Sequence, residues 1–327
     1  MKFFFIVKPP VKKEYQREFL KFKNAFDREV EEEFTEKQGP KNARNLAKRA
    51  TEQGFEKIIF VGGDGLLNEG VNGIMEATGG EIPQNFAIGT IPTGSGNNFA
   101  KALGIPKDVK EAFEIIKNEK TTLVDIGKVN PHNQNSGAGA NDRYFVNCFS
   151  VGFDALVNKV ANDLKTKHRF LPKDLSYLLA ALGQIIIKIP NFNIRIEGDK
   201  IDYKNKVILV AITNGPTYGA IFKVNPGAIV DDGKFNICII EPVGKIRALL
   251  DLYRATQGTH INLSEVKMLK FSSSLTISST GPHEIASSAS SISQGRPLPY
   301  EIDGEVPEPQ KEYKISVLPK ALRILVP

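Results

Sequence analysis

Two glycine-punctuated loops, each set between a short apolar run and a helix-length segment, constrain this chain most. The first lies in Phe60-Val-Gly-Gly-Asp-Gly-Leu-Leu-Asn-Glu-Gly-Val-Asn-Gly73, the second in Ile91-Pro-Thr-Gly-Ser-Gly-Asn-Asn-Phe-Ala100. A buried strand that runs through glycines into a helix is one half of a βαβ crossover, so two in succession predict parallel strands with helices on the sheet faces. Their turns would then lie side by side at the carboxyl edge of one sheet, where nucleotides bind in open α/β folds.

The flanking residues repeat the alternation. Phe3–Val7 reads as a strand, and the charged stretch 12–34 has Phe19, Phe22, Phe26 and Val30 at helical spacing. Strands are expected at 57–61, 86–91 and 121–126, and helices at 66–75, 94–103 and 109–117. The pattern then changes. Phe192-Asn-Ile-Arg-Ile-Glu197 and Lys200-Ile-Asp-Tyr-Lys204 alternate strictly around Gly198-Asp199, a hairpin with one wet face. Further strands at 207–212, 235–240, 275–278 and 313–317 predict a second, mostly antiparallel domain. The boundary is placed near residues 126–129. Helices are expected within 155–187, and loops at 130–142 and 272–295.

Composition bounds the rest. The chain has 327 residues, enough for two domains, and with 41% hydrophobic and 24% charged residues it is an ordinary globular chain. Cys148 and Cys238 lie in apolar settings and read as buried thiols. The first apolar run is too short for an export signal, and no window is long enough to span a membrane. A cytoplasmic protein is expected. The net charge is +6, and residues 155–206 carry ten Lys/Arg against five acids. A basic stretch of this kind is attracted to anionic surfaces. The four histidines have no metal-ligand spacing.

The loops carry the chemistry. Glycines let backbone approach a ligand, and a helix start offers unpaired N–H groups that suit phosphate. Asp64 inside the first loop implies a bridging divalent metal or an orienting role. The pattern is neither a Walker A loop nor a Rossmann fingerprint.

The same residues resemble the diacylglycerol kinase catalytic-domain family, which includes bacterial lipid kinases and the sphingosine and ceramide kinases. The family patterns are G-G-D-G-T-x-N-E-V and G-T-x-N-D-F-A. The likeness continues through Val124-Asp-Ile-Gly-Lys-Val129, Phe145-Val-Asn-Cys-Phe-Ser-Val-Gly-Phe-Asp-Ala155, Asn225-Pro-Gly-Ala-Ile-Val-Asp-Asp-Gly-Lys-Phe235 and Tyr300-Glu-Ile-Asp-Gly-Glu305.

The resemblance implies an α/β nucleotide-binding domain with an open, mostly parallel sheet, followed by an antiparallel β-sandwich domain. The first would hold residues 1–126 plus a C-terminal return at 316–327, the second residues 127–315 with inserted helices at 155–187. It implies an ATP-dependent lipid kinase that moves the γ-phosphoryl group to a lipid hydroxyl with Mg²⁺, diacylglycerol first and a sphingoid base or other lipid alcohol next. Asp303 matches the proposed base and Glu305 its companion carboxylate. Thr35, Gly62, Gly63, Asp64, Gly65, Leu66, Leu67, Asn68, Ser95 and Asn98 match nucleotide-contacting positions. Asp64 and Asp125 match carboxylates of the active-site magnesium network. Ile229, Asp232 and Lys234 match a structural magnesium site built from two backbone carbonyls and one carboxylate.

The implied partners are ATP, a lipid alcohol, a membrane surface met transiently and, as an option, a second copy of the chain in a homodimer; no nucleic acid is expected. Lys159–Lys173, basic and next to apolar Leu175–Ile187, would face that membrane. The chain departs from the family where Leu66 replaces Thr, where Asn98 replaces Asp and where Val7-Lys-Pro-Pro-Val11 replaces N-P-x-S-G. Two other readings stand beside the lipid kinase: a kinase for a soluble substrate such as NAD, and a catalytically weak module that binds nucleotide or lipid.

Overall fold

Phe3–Val7 (β1) is five apolar residues in a row, and all five are buried. A strand apolar on both faces belongs inside a parallel sheet covered by helices on each side. The computed structural model, which describes residues 2–25, 29–36, 42–131, 142–167, 173–219, 221–281 and 296–327, builds that sheet around it. The chain divides into two compact units, Met1–Ile126 with Pro319–Pro327, and Gly127–Leu318.

In the first unit the elements run β1, α1 (Lys13–Ala25), β2 (Val30–Phe34), α2 (Ala43–Glu52), β3 (Lys57–Gly62), α3 (Asp64–Ala77), β4 (Ala87–Pro92), α4 (Asn98–Ala102), α5 (Val109–Asn118) and the start of β5 (Thr121–Pro131). The parallel strands stand in the order β2-β1-β3-β4, and the far end of β15 (Glu312–Leu325) joins beside β4 with Ile324 opposite Ile88. This order reverses direction between β1 and β3, which is the switch point where open sheets bind ligands. Phe3, Phe5, Phe19, Phe22 and Phe113 pack together at centroid separations of 5.1 to 6.0 Å and fill the core on one face.

The stretch 12–34 is not one helix. Tyr15, Phe19 and Phe22 bury one face of α1, which ends at Ala25. Val30-Glu-Glu-Glu-Phe34 then pairs with β1 as the edge strand. Its carboxylates hide the strand signal, and charge on an edge strand discourages pairing with other chains. Helix α2 carries a buried stripe of Ala43, Leu46, Ala47 and Ala50, and the Asn42 side chain accepts the Asn45 N–H at 2.9 Å to cap it.

The second unit contains β6 (Arg143–Phe145), β7 (Cys148–Gly152), α6 (Phe153–Lys167), α7 (Lys173–Ile187), β8 (Phe192–Gly198), β9 (Ile201–Val207), β10 (Leu209–Thr213), β11 (Phe235–Ile240), α8 (Lys245–Gln257), β12 (Val266–Phe271), β13 (Ser274–Ser279) and β14 (Tyr300–Ile302). One antiparallel sheet has the order β12-β11-β10-β7-β14; the other runs β15-β13-β8-β9. The hairpin β8–β9 turns through Asp199 and Lys200, both at positive φ (48° and 66°), as a two-residue hairpin turn requires.

Side-chain alternation sorts the first of these sheets into two faces. Phe149, Val151, Val210, Ile212, Ile237 and Ile239 share a core with Ile194, Ile196, Ile277 and Ile315 of the other sheet, which makes the sandwich. Cys148, Leu209, Ala211 and Cys238 share a separate core with Val157, Tyr177 and Ala181 of the helices. One cross-strand row runs Glu301, Ser150, Ala211, Cys238, Met268 from β14 to β12. Both cysteines are free and buried, and burial pushes the Cys238 thiol up to about 12. The loop readings at 130–142 and 272–295 fall largely on 132–141 and 282–295, outside the described residues.

Candidate active site

The two glycine loops meet. Thr93 N–H donates to the Gly62 carbonyl at 2.9 Å, and Gly94 N–H reaches the same oxygen at 3.3 Å. A Cβ on Gly94 would stand 2.6 Å from the Gly63 Cα, so no side chain fits there. A Cβ on Gly62 would stand 2.4 Å from the Leu66 Cδ2, so the leucine fills the space above the first glycine. Leu66, Leu67 and Asn68 are buried in the start of α3, while Ser95 is exposed on the second loop.

Asp64 ties the loops together. Its carboxylate accepts the N–H of Asn98 at 3.0 Å and of Phe99 at 3.2 Å. A carboxylate at the start of a helix neutralises the unpaired donors there. The Asn98 amide lies 3.5 Å from the same carboxylate. Asn97, absent from the sequence-based site, supports this junction: it sits in the left-handed region (φ 52°), and its amide donates to the Gly94 carbonyl at 2.7 Å. Its Oδ1 is buried without a partner. The signal for it was the Asn-Asn pair after glycines, since asparagine tolerates left-handed backbone.

Thr35 and Asp125, also expected at the site, are placed separately. Thr35 follows β2 and donates its N–H to the Val7 carbonyl at 2.8 Å. Asp125 is fully buried on β5 and accepts the Lys320 N–H at 2.7 Å, which fastens the C-terminal return. Carboxylate oxygens are donors of the type a hard cation takes, so Asp64 and Asp125 fit magnesium in chemistry. Among the described residues no group of three or more His, Cys, Asp or Glu comes together as a metal cluster. On the loop before β11, Asp232 accepts the Lys234 N–H at 3.0 Å, and Gly233 follows at φ 73°. Ile229 and Asp232 are exposed, and two carbonyls with one carboxylate suit the same kind of cation.

In the second unit, Asp303 sits in a tight turn after β14 at φ 45°. Its carboxylate accepts three backbone donors, from Val146 at 2.7 Å, Asn147 at 3.1 Å and Cys148 at 2.7 Å. It is buried, whereas Glu305 is half-buried and ion-paired with Arg143.

Between β10, β11, β12 and helices α6, α7 and α8 lies an apolar pocket of about 920 Å³, its open mouth included. Val157, Ala181, Ile185, Leu252 and Val266 contribute to its wall. Asp154, also lining it, is buried; its Oδ2 accepts the hydroxyls of Ser150 and Tyr218, and the start of α6 turns the backbone N–H groups of Asp154 and Ala155 toward the same carboxylate. Burial raises its pKa against the pull of those hydroxyls and backbone N–H groups. His260 lines the pocket too, although the histidines gave no signal in the sequence. Its position comes from a short 3₁₀ turn, His260–Asn262, which no periodicity announces.

Residues 2–129 match the family model for the diacylglycerol kinase catalytic domain, and residues 147–326 match that for the YegS C-terminal NAD kinase beta sandwich-like domain. A diacylglycerol kinase of Staphylococcus carnosus is 30% identical over 220 residues, covering 67% of this chain and 65% of that protein. One from Staphylococcus haemolyticus is 30% identical over 232 residues, covering 71% of this chain and 64% of the other. The chain thus spans just under two thirds of the length of these two relatives. One from Staphylococcus epidermidis (strain ATCC 12228) is 30% identical over 245 residues, covering 75% and 70%. The crystal structure of a diacylglycerol kinase from Bacillus anthracis superimposes with a TM-score of 0.72 at 21% identity, covering 100% of this chain and 97% of that one. The chain belongs to the diacylglycerol kinase catalytic-domain family and has its fold, a parallel α/β unit followed by an antiparallel β-sandwich.

Proposed function

We propose that the protein is an ATP-dependent kinase that phosphorylates the hydroxyl of a lipid. The pocket beneath α7 and α8 carries this reading: its wall is almost wholly apolar and it is roomy enough for a lipid chain. An apolar chain fits such a wall. A nucleotide substrate such as NAD, polar and charged, does not fit such a lining. Diacylglycerol comes first on the strength of the relatives' names, and a sphingoid base or other lipid alcohol next.

ATP would lie along Gly62–Asn68 with Thr35, Ser95 and Asn98. Backbone N–H groups of the crossed glycine loops would hold its phosphates. Magnesium would be held by Asp64 and Asp125, with a second, structural ion at Ile229, Asp232 and Lys234. Bound there, the active-site ion supplies neutralisation of phosphate charge. Asp303 is proposed to accept the proton of the lipid hydroxyl, with Glu305 beside it.

Leu179, Ile186 and Ile187 of α7 are exposed, as are Ile246, Leu250 and Tyr253 of α8, and Lys245 links the helices by donating to the Ile187 carbonyl at 3.1 Å. Exposed apolar side chains with a cation among them support transient docking on a membrane surface. Among the described residues no helix is long and apolar enough to cross a membrane. The test is incubation with ATP, Mg²⁺ and a panel of lipid alcohols in mixed micelles. A phosphorylated lipid identified by mass supports the reading, and no product from any lipid contradicts it.

A further inference from the structure

We infer that Glu301 is a positioning residue for the proposed phosphoryl transfer: its buried carboxylate holds the Asp303–Gly304 peptide and so fixes the angle at which Asp303 stands. The inference rests on Asp303 being the group that takes the proton of the lipid hydroxyl.

Ile302 and Glu305 exchange both backbone hydrogen bonds, each N–H donating to the other's carbonyl at 2.9 Å. Asp303 and Gly304 form the two-residue turn between them, at φ 45° and 94°. Positive φ at both central positions matches the twist of the flanking strands, and it suits glycine better than aspartate. The Asp303 N–H is taken by the Cys148 carbonyl at 3.0 Å. The Gly304 N–H belongs to the central peptide, which lies outside the strand ladder. It donates to Glu301 Oε1 at 3.0 Å. Three of the turn's four N–H groups thus go to backbone carbonyls, and the fourth goes to Glu301.

A peptide is planar, so a residue's direction is set by the two peptides that flank its Cα. For Asp303 the first is pinned by Cys148 and the second by Glu301. Glu301 itself is closely held. It is 1% exposed on β14, where Tyr300 and Ile302 face the sandwich core and Glu301 faces the other way beside Ser150. Its Oε1 lies 3.8 Å from the Cys148 sulfur, and its Oε2 faces the Tyr177 hydroxyl of α7 at 3.4 Å. Burial, and next the charge of Glu301, push that hydroxyl up from its ordinary value, so it stays a donor. A carboxylate buried to this extent is costly to keep. The hairpin is already closed by Ile302 and Glu305, so what the carboxylate adds is the angle of the central peptide, and with it that of Asp303.

The experiment measures kcat and the KM values for ATP and for diacylglycerol, or whichever lipid alcohol of the panel the wild type phosphorylates fastest, in mixed micelles with Mg²⁺, alongside thermal melts. Glu301→Ala removes the acceptor and is expected to lower kcat about 10- to 100-fold, the scale of a reacting group displaced by about 1 Å. Both KM values are expected to stay within about threefold, since the interaction lost bears on the reacting group and not on substrate binding. Glu301→Gln keeps an oxygen for the Gly304 N–H and turns its amide toward the Tyr177 hydroxyl, so its kcat is expected within about threefold of the wild type. If Glu301→Ala does not fold, Glu301→Val, which suits a strand and accepts nothing, replaces it. Wild-type kcat in Glu301→Ala overturns the inference, and a lowered melting temperature beside it marks the residue as structural only. A raised KM at unchanged kcat overturns it too, as does a Glu301→Gln as slow as Glu301→Ala. Those results leave the kinase reading standing. A wild type that phosphorylates no lipid overturns both, and wild-type kcat in Asp303→Asn overturns the role of Asp303 and the inference with it.

Discussion

Asp303 and Cys148 are joined twice: the Cys148 N–H donates to the Asp303 carboxylate at 2.7 Å, and the Asp303 N–H donates to the Cys148 carbonyl at 3.0 Å. The carboxylate also takes the N–H groups of Val146 and Asn147, so it orders the entry to β7 as well as lying in the late Asp-Gly-Glu turn. An amide here would turn donor hydrogens toward backbone donors. Asp303→Asn is expected to cost about 2–4 kcal/mol and to lower the melting temperature by about 5–15 °C. A thermal melt checks this. An unchanged melt with lost activity would make Asp303 a purely chemical residue.

The contact between Gly63 and Gly94 leaves no room for a methyl group. Gly94→Ala is expected to part the two loops and to weaken ATP binding at least about tenfold while the fold persists, since the strain falls on a loop and not the core. Calorimetric titration with ATP, alongside circular dichroism, measures both. Wild-type affinity would show that the junction does not shape the nucleotide site.

Asn98 stands 3.5 Å from the Asp64 carboxylate, where its amide meets the negative charge favourably. Asn98→Asp places a second carboxylate there, and like charges at this range repel unless a cation separates them. In chelator the variant is expected to melt below the wild type. Added Mg²⁺ is expected to raise its melting temperature by more than it raises the wild type's. Superimposable responses to Mg²⁺ in the two proteins would contradict the proposal that Asp64 holds the ion.

His260 is held below its ordinary value of 6.5, chiefly by burial, against a smaller upward pull from its bond to Val224. A histidine with a lowered folded pKa takes up its proton more readily when unfolded. Its contribution to stability is therefore complete above pH 6.5 and is lost as pH falls below that value through the folded pKa. The wild type is expected to lose melting temperature over this range more steeply than His260→Phe. Parallel profiles would mean that the imidazole is solvated in the folded protein.

The fold was legible where hydrophobic period and glycine placement agreed. Phe3–Val7 and the two strand–loop–helix units specify the parallel unit, and the strict alternation of 192–204 specifies a sandwich hairpin. The edge strand β2 was not legible, because three glutamates occupy a five-residue strand and the preceding phenylalanines extend a helical spacing across it. Helix α8 was missed because none of its residues is fully buried and Ile246, Leu250 and Tyr253, which are exposed, blur the apolar face that Leu252 and Ala255 turn inward. Of the candidate site, the glycine loops and the late acidic turn were visible as local patterns. Asp154 appeared only as part of a longer resemblance, and His260 not at all. Both reach the pocket only because strands distant in sequence stand side by side.

The central claim is tested most directly by following the γ-phosphoryl group. With γ-labelled ATP and Mg²⁺, the protein is offered micellar lipid alcohols and NAD in one mixture, and the label is traced to product. Label in a phospholipid, absent when lipid is omitted and lost in Asp64→Ala, is the expected result. Label in phosphorylated NAD, or bound nucleotide with no label transferred to any lipid, would contradict it.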